Sequence, residues 1–323
     1  MEDIGLPSNK PKSILELENI IKYIDEVKFL VTVHFYAQGS YQRGLDGNSI
    51  LNISQPSVSR SISSVTNAIN QRLLRRWVKF PMTAVERQKG REKFEAAPQP
   101  FESTLGAIDC THINILAPVV HEGAYVNHHG NHSLNVQAIV DSDLKILNIN
   151  ARYPGARNDS YIWSTSAVRR GMEFHYNNGE RRTWLIGDAG YPLEPWLMTP
   201  LPHYQEGTRE FEYTKNLCKA RNVVERFFGV FKRCLSYQRV LMYAPDKAGR
   251  IVNACATLHN MRIHYNLPIP EEELAGEQIG QNIYENIEIP NIDQQGGPRA
   301  VAKRIQRHIL DQYDHLRDGE VED

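Results

Sequence analysis

Three acids in this chain have neighbours that suit them for metal-assisted chemistry. Asp109 closes the strand-like run Gly106-Ala-Ile-Asp-Cys-Thr-His-Ile113, and Asp188 ends another, Thr183-Trp-Leu-Ile-Gly-Asp188. Glu225 lies in the helical run Lys219-Ala-Arg-Asn-Val-Val-Glu-Arg-Phe-Phe-Gly-Val-Phe-Lys-Arg233. Two carboxylates on neighbouring strand ends and a third on a later helix can hold a pair of divalent cations, which would clamp the attacking and leaving oxygens of a phosphodiester. Carboxylate ligands suit Mg²⁺ or Mn²⁺ better than zinc. Each acid also has an ordinary reading. An Asp after a strand often caps a turn, and Glu225 has Arg221 four residues earlier as an ion-pair partner. The apolar stripe Ala220, Val223, Val224, Phe227, Phe228 and Phe231 places Glu225 on its flank, about 120° from the centre at roughly 100° per residue. From a flank it can reach over the rim of a sheet. Asp159 opens a helix in Tyr153-Pro-Gly-Ala-Arg-Asn-Asp-Ser160, where it can serve the helix start, hold Arg157 or contact a metal.

Strands must present those acids, and the central segment supplies them. Short apolar runs at 105–108, 113–116, 134–140, 146–149 and 184–186 are separated by Asn131, Asp141-Ser-Asp143 and Pro154-Gly155. Helix signals follow at about 158–169, 219–235 and 246–265. The pattern predicts an α/β domain with a mixed sheet and flanking helices over 101–265. A polar stretch, 1–12, precedes a helical region, 13–100. Its first helix starts at Ser13 and carries Val27, Val31 and Phe35. Within it, Ile50-Leu-Asn-Ile-Ser-Gln-Pro-Ser-Val-Ser-Arg-Ser-Ile62 resembles a helix-turn-helix: Leu51 and Ile53 inside, Ser54 as cap, Val58, Ile62 and Val65 as inner stripe. Gln55, Ser57, Ser59 and Arg60 would then face DNA; a plain helical bundle with a serine-rich surface fits the same residues. Residues 266–323 read as a polar tail with a short helix.

The bulk properties narrow the partners. The chain of 323 residues is 41% hydrophobic and 23% charged, ordinary for a globular protein. Its 37 Lys and Arg against 38 Asp and Glu give a net charge of −1, so DNA binding must come from local basic patches or a partner. Arg72, Arg75, Arg76 and Lys79 around Trp77 form one such patch or a solvated face, and Lys215, Lys219 and Arg221 are candidates to hold phosphates near Glu225. Cys110, Cys218, Cys234 and Cys255 form no Cys-x-x-Cys pair, and no secretory pattern opens the chain; a cytosolic or nuclear protein with reduced thiols is expected. No membrane span is expected. His112, His121, His128, His129 and His132 lie in or beside a Gly- and Asn-rich loop without a His-Glu-x-x-His frame, so zinc is not expected.

In order along the chain, several pieces resemble the PIF/Harbinger-type DDE transposases and their host-domesticated nuclease derivatives. They are Gly106-Ala-Ile-Asp-Cys-Thr-His-Ile113, His132-Ser-Leu-Asn-Val-Gln-Ala138, Pro154-Gly-Ala-Arg-Asn-Asp-Ser160, Gly187-Asp-Ala-Gly-Tyr-Pro-Leu193, Val224-Glu-Arg-Phe-Phe-Gly-Val-Phe-Lys232 and Leu258-His-Asn-Met261. Each is weak alone; the ordered set, with Gln55-Pro-Ser-Val-Ser-Arg60 upstream, is specific. The resemblance implies an RNase H-like fold, a DDE triad of Asp109, Asp188 and Glu225, and Asp159 as a further acid of a Mg²⁺ or Mn²⁺ site. It implies a DNA endonuclease or transposase, found in the nucleus and also the cytoplasm, working with a Myb/SANT-like partner. Homo-oligomers are left open, and the alternative is a domesticated, non-catalytic DNA-associated adaptor. Two departures stand out: Cys110 replaces the glycine usual after the first Asp, and Ala156-Arg157-Asn158 replaces the commoner Ser-x-His/Asn pattern before Asp159.

Overall fold

The computed structural model describes residues 26–38, 53–202, 204–234, 240–268 and 297–314. Its centre is a five-stranded mixed sheet in the order β3-β2-β1-β4-β5, formed by β1 (Thr104–Asn114), β2 (Ser133–Val140), β3 (Ile146–Pro154), β4 (Trp184–Ile186) and β5 (Leu197–Met198). β2 runs antiparallel to both β1 and β3, while β4 and β5 run parallel to β1. All residues of β2 are buried, as a central strand covered on both faces requires. The result is the α/β arrangement of an RNase H-like fold, preceded by a helical region.

The helices cover both faces. Before the sheet come α1 (Glu26–Gln38), α2 (Gln55–Arg72), α3 (Leu74–Trp77) and α4 (Ala84–Glu95). After β3 come α5 (Asp159–Ser164) and α6 (Ala167–Asn177); after β5 come α7 (Arg209–Cys234), α8 (Pro245–His264) and α9 (Pro298–Asp314). Trp163, Val168 and Met172 of α5 and α6 pack on Leu105, Ile108, Ile139 and Leu185. On the other face, Ala107, Val136 and Ala138 meet Val224, Phe227 and Phe231 of α7 and Ile251, Val252 and Cys255 of α8. The stripe expected on α7 is buried throughout, with Glu225 half-buried on its flank.

Several boundaries depart from expectation for local reasons. The runs at 105–108 and 113–116 are one strand: the ladder to β2 continues through the polar stretch, from Ala107↔Val140 to Asn114↔Ser133. Asp109 therefore lies inside β1 instead of closing it. The helix expected at 158–169 is two, because the Ser166 side chain accepts a hydrogen bond from Arg169 N at 3.0 Å and caps a new helix. α7 starts at Arg209, ten residues before the expected start at 219, with Tyr213 and Leu217 also buried. Ser54 stands at the start of α2, yet its hydroxyl bonds the Ser57 hydroxyl at 3.1 Å and caps no backbone N–H. Ser13 and Leu51 lie outside the described residues; Val31 and Phe35 are buried in α1, whereas Val27 is exposed.

Two neighbouring residues of α8 tie the layers together. Asn260 accepts from Ile146 N at 2.8 Å and donates to Ile146 O at 2.7 Å and Trp77 O at 2.8 Å, joining β3 and α3 to α8. His259, 3% exposed, donates from Nε2 to Leu144 O at 2.8 Å and lies edge-on to the Phe227 ring. Burial lowers its pKa to about 4, opposed by the Leu144 bond and assisted by Arg262. The folded value is below the unfolded value of roughly 6.5. Stability from the neutral ring is thus complete above about pH 6.5 and is lost as pH falls towards 4. At pH 5 the loss is about 2 kcal/mol. Urea unfolding at pH 7.5 and pH 5 checks this: His259→Gln should show a pH dependence shallower than wild type by about that amount. Parallel profiles would contradict it.

Candidate active site

The sheet register brings the first two acids together. Ala107 of β1 pairs with Ile186 of β4 in a parallel ladder. Asp109 and Asp188 each follow two residues later, so they emerge side by side. The third acid arrives from the opposite direction, at the start of α5. Gly155 lets the chain turn there, since a Cβ at this position would meet the Tyr125 carbonyl at 2.7 Å. Asn158 caps α5 by accepting from Tyr161 N at 2.9 Å. Asn135 of β2 donates to Asp159 Oδ1 at 2.9 Å and to Arg157 O at 2.8 Å, fixing both turn and carboxylate. One oxygen from each of Asp109, Asp159 and Asp188 lies within 4.8 Å of the others.

This cluster is electron-rich and poorly solvated. Burial raises the Asp109 pKa to about 7, opposed by Arg221 and reinforced by Asp188. Asp188 is also raised, first by burial, with Arg221 pulling it down and Asp159 pushing it up. Backbone donors aim each group: Cys110 N reaches Asp109 Oδ1 at 2.7 Å, and Gly190 N reaches Asp188 Oδ1 at 3.0 Å. The buried Oδ1 of Asn135 and Oε1 of Gln137 find no hydrogen-bond donor among the described residues. Like charges crowded together, beside acceptors without donors, are what a divalent cation would relieve. Oxygen-only donors of this kind fit Mg²⁺ or Mn²⁺.

Arg221 is the cation already present. Its side chain, 7% exposed, reaches Asp109 Oδ2 from Nη1 at 3.1 Å and holds Glu225 Oε1 through Nη2. Burial disfavours the Arg221 charge, but Asp109, Glu225 and Asp188 outweigh it and raise its pKa. The expected role of Arg221 at the surface, holding a phosphate, is therefore corrected: the side chain is buried and committed to two carboxylates. Glu225 is linked to the cluster through Arg221 and lies outside the three-carboxylate group. Lys215 pairs with Glu212 at 3.1 Å, and Lys219 is exposed.

The supporting residues Asn135, Gln137 and Tyr191 were not singled out from sequence. Gln137 donates to Tyr191 Oη at 3.5 Å, and Tyr191 Oη lies 3.3 Å from Cys110 Sγ, forming a buried polar floor. The signal was an alternation of Asn135 and Gln137 through an otherwise apolar strand, which puts both on one face.

The other candidates lie elsewhere. In α2, Gln55 and Arg60 are exposed and Ser57 and Ser59 half-buried, with Arg60 donating to Ser57 Oγ at 2.9 Å. The helix that would complete a helix-turn-helix falls outside the described residues. His112, at 3.0 Å from Ser133 Oγ, lies near His128, whose ring is tilted against that of His129. Among the described residues, the group of His, Cys, Asp or Glu close enough to share a metal is Asp109, Asp159 and Asp188. A cavity of about 440 Å³ beside β3, bordered by Asn150, Arg152, Asp246 and Asn253, is lined by none of Asp109, Asp159 and Asp188. Among the described residues, no helix is long and apolar enough to cross a membrane.

Comparison with known proteins shows the family. The family model described as DDE superfamily endonuclease matches residues 108–260, a span containing Asp109, Asp159, Asp188 and Glu225. The chain is 31% identical to HARBI1 of Homo sapiens over 292 residues, covering 88% of this chain and 79% of that protein. It is 32% identical to HARBI1 of Xenopus laevis over 255 residues, 77% of this chain and 71% of that protein. Protein ALP1-like of Arabidopsis thaliana is 28% identical over 208 residues, 59% of this chain and 50% of that protein. No solved structure matches the chain.

Proposed function

The chain belongs to the Harbinger transposase-derived DDE endonucleases, and from that premise we propose that it is a metal-dependent DNA endonuclease cutting phosphodiester bonds at the carboxylate cluster. The observation that carries the proposal is the meeting of Asp109, Asp159 and Asp188 within 4.8 Å. Asp109 and Asp188 would hold the cations, Mg²⁺ or Mn²⁺, with Asp159 alongside. Bound cations supply Lewis acidity for an in-line displacement, at both the entering and the departing oxygen. The chain's own groups do the positioning. Asn135 orients Asp159, Cys110 N–H and Gly190 N–H aim Asp109 and Asp188, and Tyr191 packs its hydroxyl against Cys110 beside Asp109. Glu225, on the flank of α7 and bonded to Arg221, would complete the set if freed from that bond.

The same reading extends to the setting: a nuclear protein, present also in the cytoplasm, brought to its target by a Myb/SANT-like partner and able to self-associate. The net charge of −1 supports the need for a partner, because bulk charge gives little grip on DNA. One observation favours a second reading, the non-catalytic DNA-associated adaptor. Arg221 already neutralises Asp109 and Glu225, as it would in a site that no longer turns over.

Cleavage of duplex DNA with Mn²⁺, by wild type and Asp159→Asn, tests the proposal. Wild type should cut in Mn²⁺ and not in EDTA, and the variant should cut about 10²-fold more slowly or worse. Equal rates remove the cluster from the chemistry. No cutting by wild type with its DNA partner present favours the adaptor.

A further inference from the structure

We propose that the outer face of α9 is a docking surface for the phosphate backbone of duplex DNA, an inference that rests on the nuclease reading and adds where the substrate lies. The helix is sharply two-sided. Ala302, Gln306, Ile309 and Leu310 are buried, while Lys303, Arg304, Arg307 and His308 are exposed. Their i, i+1, i+4, i+5 spacing gathers the four on one face.

That face lacks the acids of an ordinary solvated helix. Such surfaces usually intersperse Glu or Asp one turn from each Lys or Arg. Here the positions three and four away from Lys303 are Arg299, Ala300, Gln306 and Arg307, and those from Arg304 are Ala300, Val301, Arg307 and His308. The acid one turn after Arg307, Asp311, bonds Arg209 at 3.5 Å. The side chains of Lys303, Arg304, Arg307 and His308 make no ion pair or hydrogen bond with any described residue. Several cations elsewhere are matched: Lys93 with Asp141 and Asp143, Arg87 and Arg91 with Glu180, Arg169 with Glu173 and Glu194. In a chain of net charge −1, Lys303, Arg304 and Arg307, unpaired with any described residue, repel one another, and a polyanion is the ligand that relieves that repulsion.

Placement selects DNA over other polyanions. Gln306 donates to Thr199 O at 3.1 Å and to Tyr213 Oη at 3.0 Å, and Tyr213 Oη donates to Thr199 O at 3.2 Å. Thr199 follows β5 directly, as Gly187 follows β4, and Ile186 pairs with Met198 in the parallel ladder. The anchor of α9 is thus level with the residue before Asp188 and about 4.8 Å across the sheet from it. Asn216 and Arg209 of α7 fasten the helix further, through Tyr313 at 3.4 Å and Asp311 at 3.5 Å. The Gln306 anchor of α9 and the carboxylates therefore occupy one end of the sheet. A duplex whose scissile phosphate meets Asp188 has its flanking backbone within reach of α9.

The test is binding of the full chain to a labelled duplex of mixed sequence in EDTA, at several salt concentrations. The variant Lys303→Gln/Arg304→Gln/Arg307→Gln is compared with Lys145→Gln/Arg181→Gln/Arg182→Gln, which removes the same charge beside the starts of β3 and β4, the opposite end of the sheet. The α9 variant should bind about 10-fold more weakly near 0.1 M salt, with its log K against log salt slope flattened by about 2 to 3. The reference variant should change by less than about 2-fold. Thermal melting and the Mn²⁺-induced shift in melting should be unchanged in both, which shows that fold and carboxylate cluster are intact. Equal weakening by the two variants, no weakening by the α9 variant, or no duplex binding by wild type overturns the inference. Failure of the nuclease reading looks different: wild type would bind DNA through α9 yet show no Mn²⁺-dependent shift.

Discussion

Asp188→Asn should abolish cation-dependent cleavage and, in the absence of metal, make the protein more stable. Asp188 is held above the usual carboxylate range by burial, and the neighbouring Asp159 adds to the strain. An asparagine keeps an oxygen to accept from Gly190 N, now at 3.0 Å, while removing one of the crowded charges. Relief of that repulsion should stabilise the metal-free protein by about 1–2 kcal/mol, as at other sites where function is kept at the expense of stability. For a chain of this size that is about 2–6 °C in Tm. With Mn²⁺ the order reverses. Wild type gains about 2.7 kcal/mol at a hundred times its dissociation constant, and the variant gains little. Cleavage should fall by about 10³-fold or more. Melting curves in EDTA and in Mn²⁺ measure both signs at once. A variant that is less stable in EDTA and still shifted by Mn²⁺ would remove Asp188 from the site.

Arg221→Gln should act in the opposite sense. Its guanidinium is the only cation bonded to Asp109 and Glu225 among the described residues, and it is itself almost fully buried. Removing one partner of a buried ion pair typically costs about 3–5 kcal/mol, because the charge left behind is neither solvated nor paired. Here the partly exposed Glu225 moderates the loss, while Asp109 cannot escape it. The variant should therefore melt about 10 °C lower in EDTA. Mn²⁺ should restore more of this deficit than it adds to wild type, since a cation at the cluster takes over the neutralisation of Asp109. Urea denaturation with and without Mn²⁺ reads the difference. Equal Mn²⁺ gains in the two proteins would show that Arg221 and the cation site do not communicate.

The sequence carried the identity of the main acids more readily than their arrangement. Asp109 and Asp188 stand out because each follows a short apolar run, and Asp159 because Pro154-Gly155 and Asn158 announce a turn and a helix start. The Arg221–Glu225 bond follows from a spacing of four on a helix. The second bond of Arg221, to Asp109, joins residues 112 positions apart, and no local pattern reports it. Nor does local pattern report the pairing of Ala107 with Ile186 that sets Asp109 beside Asp188. β5 was missed because Leu197–Met198 is only two residues long and lies between Pro195 and Pro200. The break between α5 and α6 depends on one serine hydroxyl winning a backbone donor. α9 shows the limit of composition: the polar tail announces a short helix, but not its 17-residue length, nor its narrow buried side and cationic exposed side.

The account depends most on a cation seated among Asp109, Asp159 and Asp188. Anomalous scattering from crystals grown in MnCl₂, recorded at the manganese edge, locates such an ion without any assay of activity. The expected result is a peak within coordination distance of all three carboxylates, lost in crystals of Asp188→Asn. A clean map at that position, with Mn²⁺ bound elsewhere or not at all, would contradict the account.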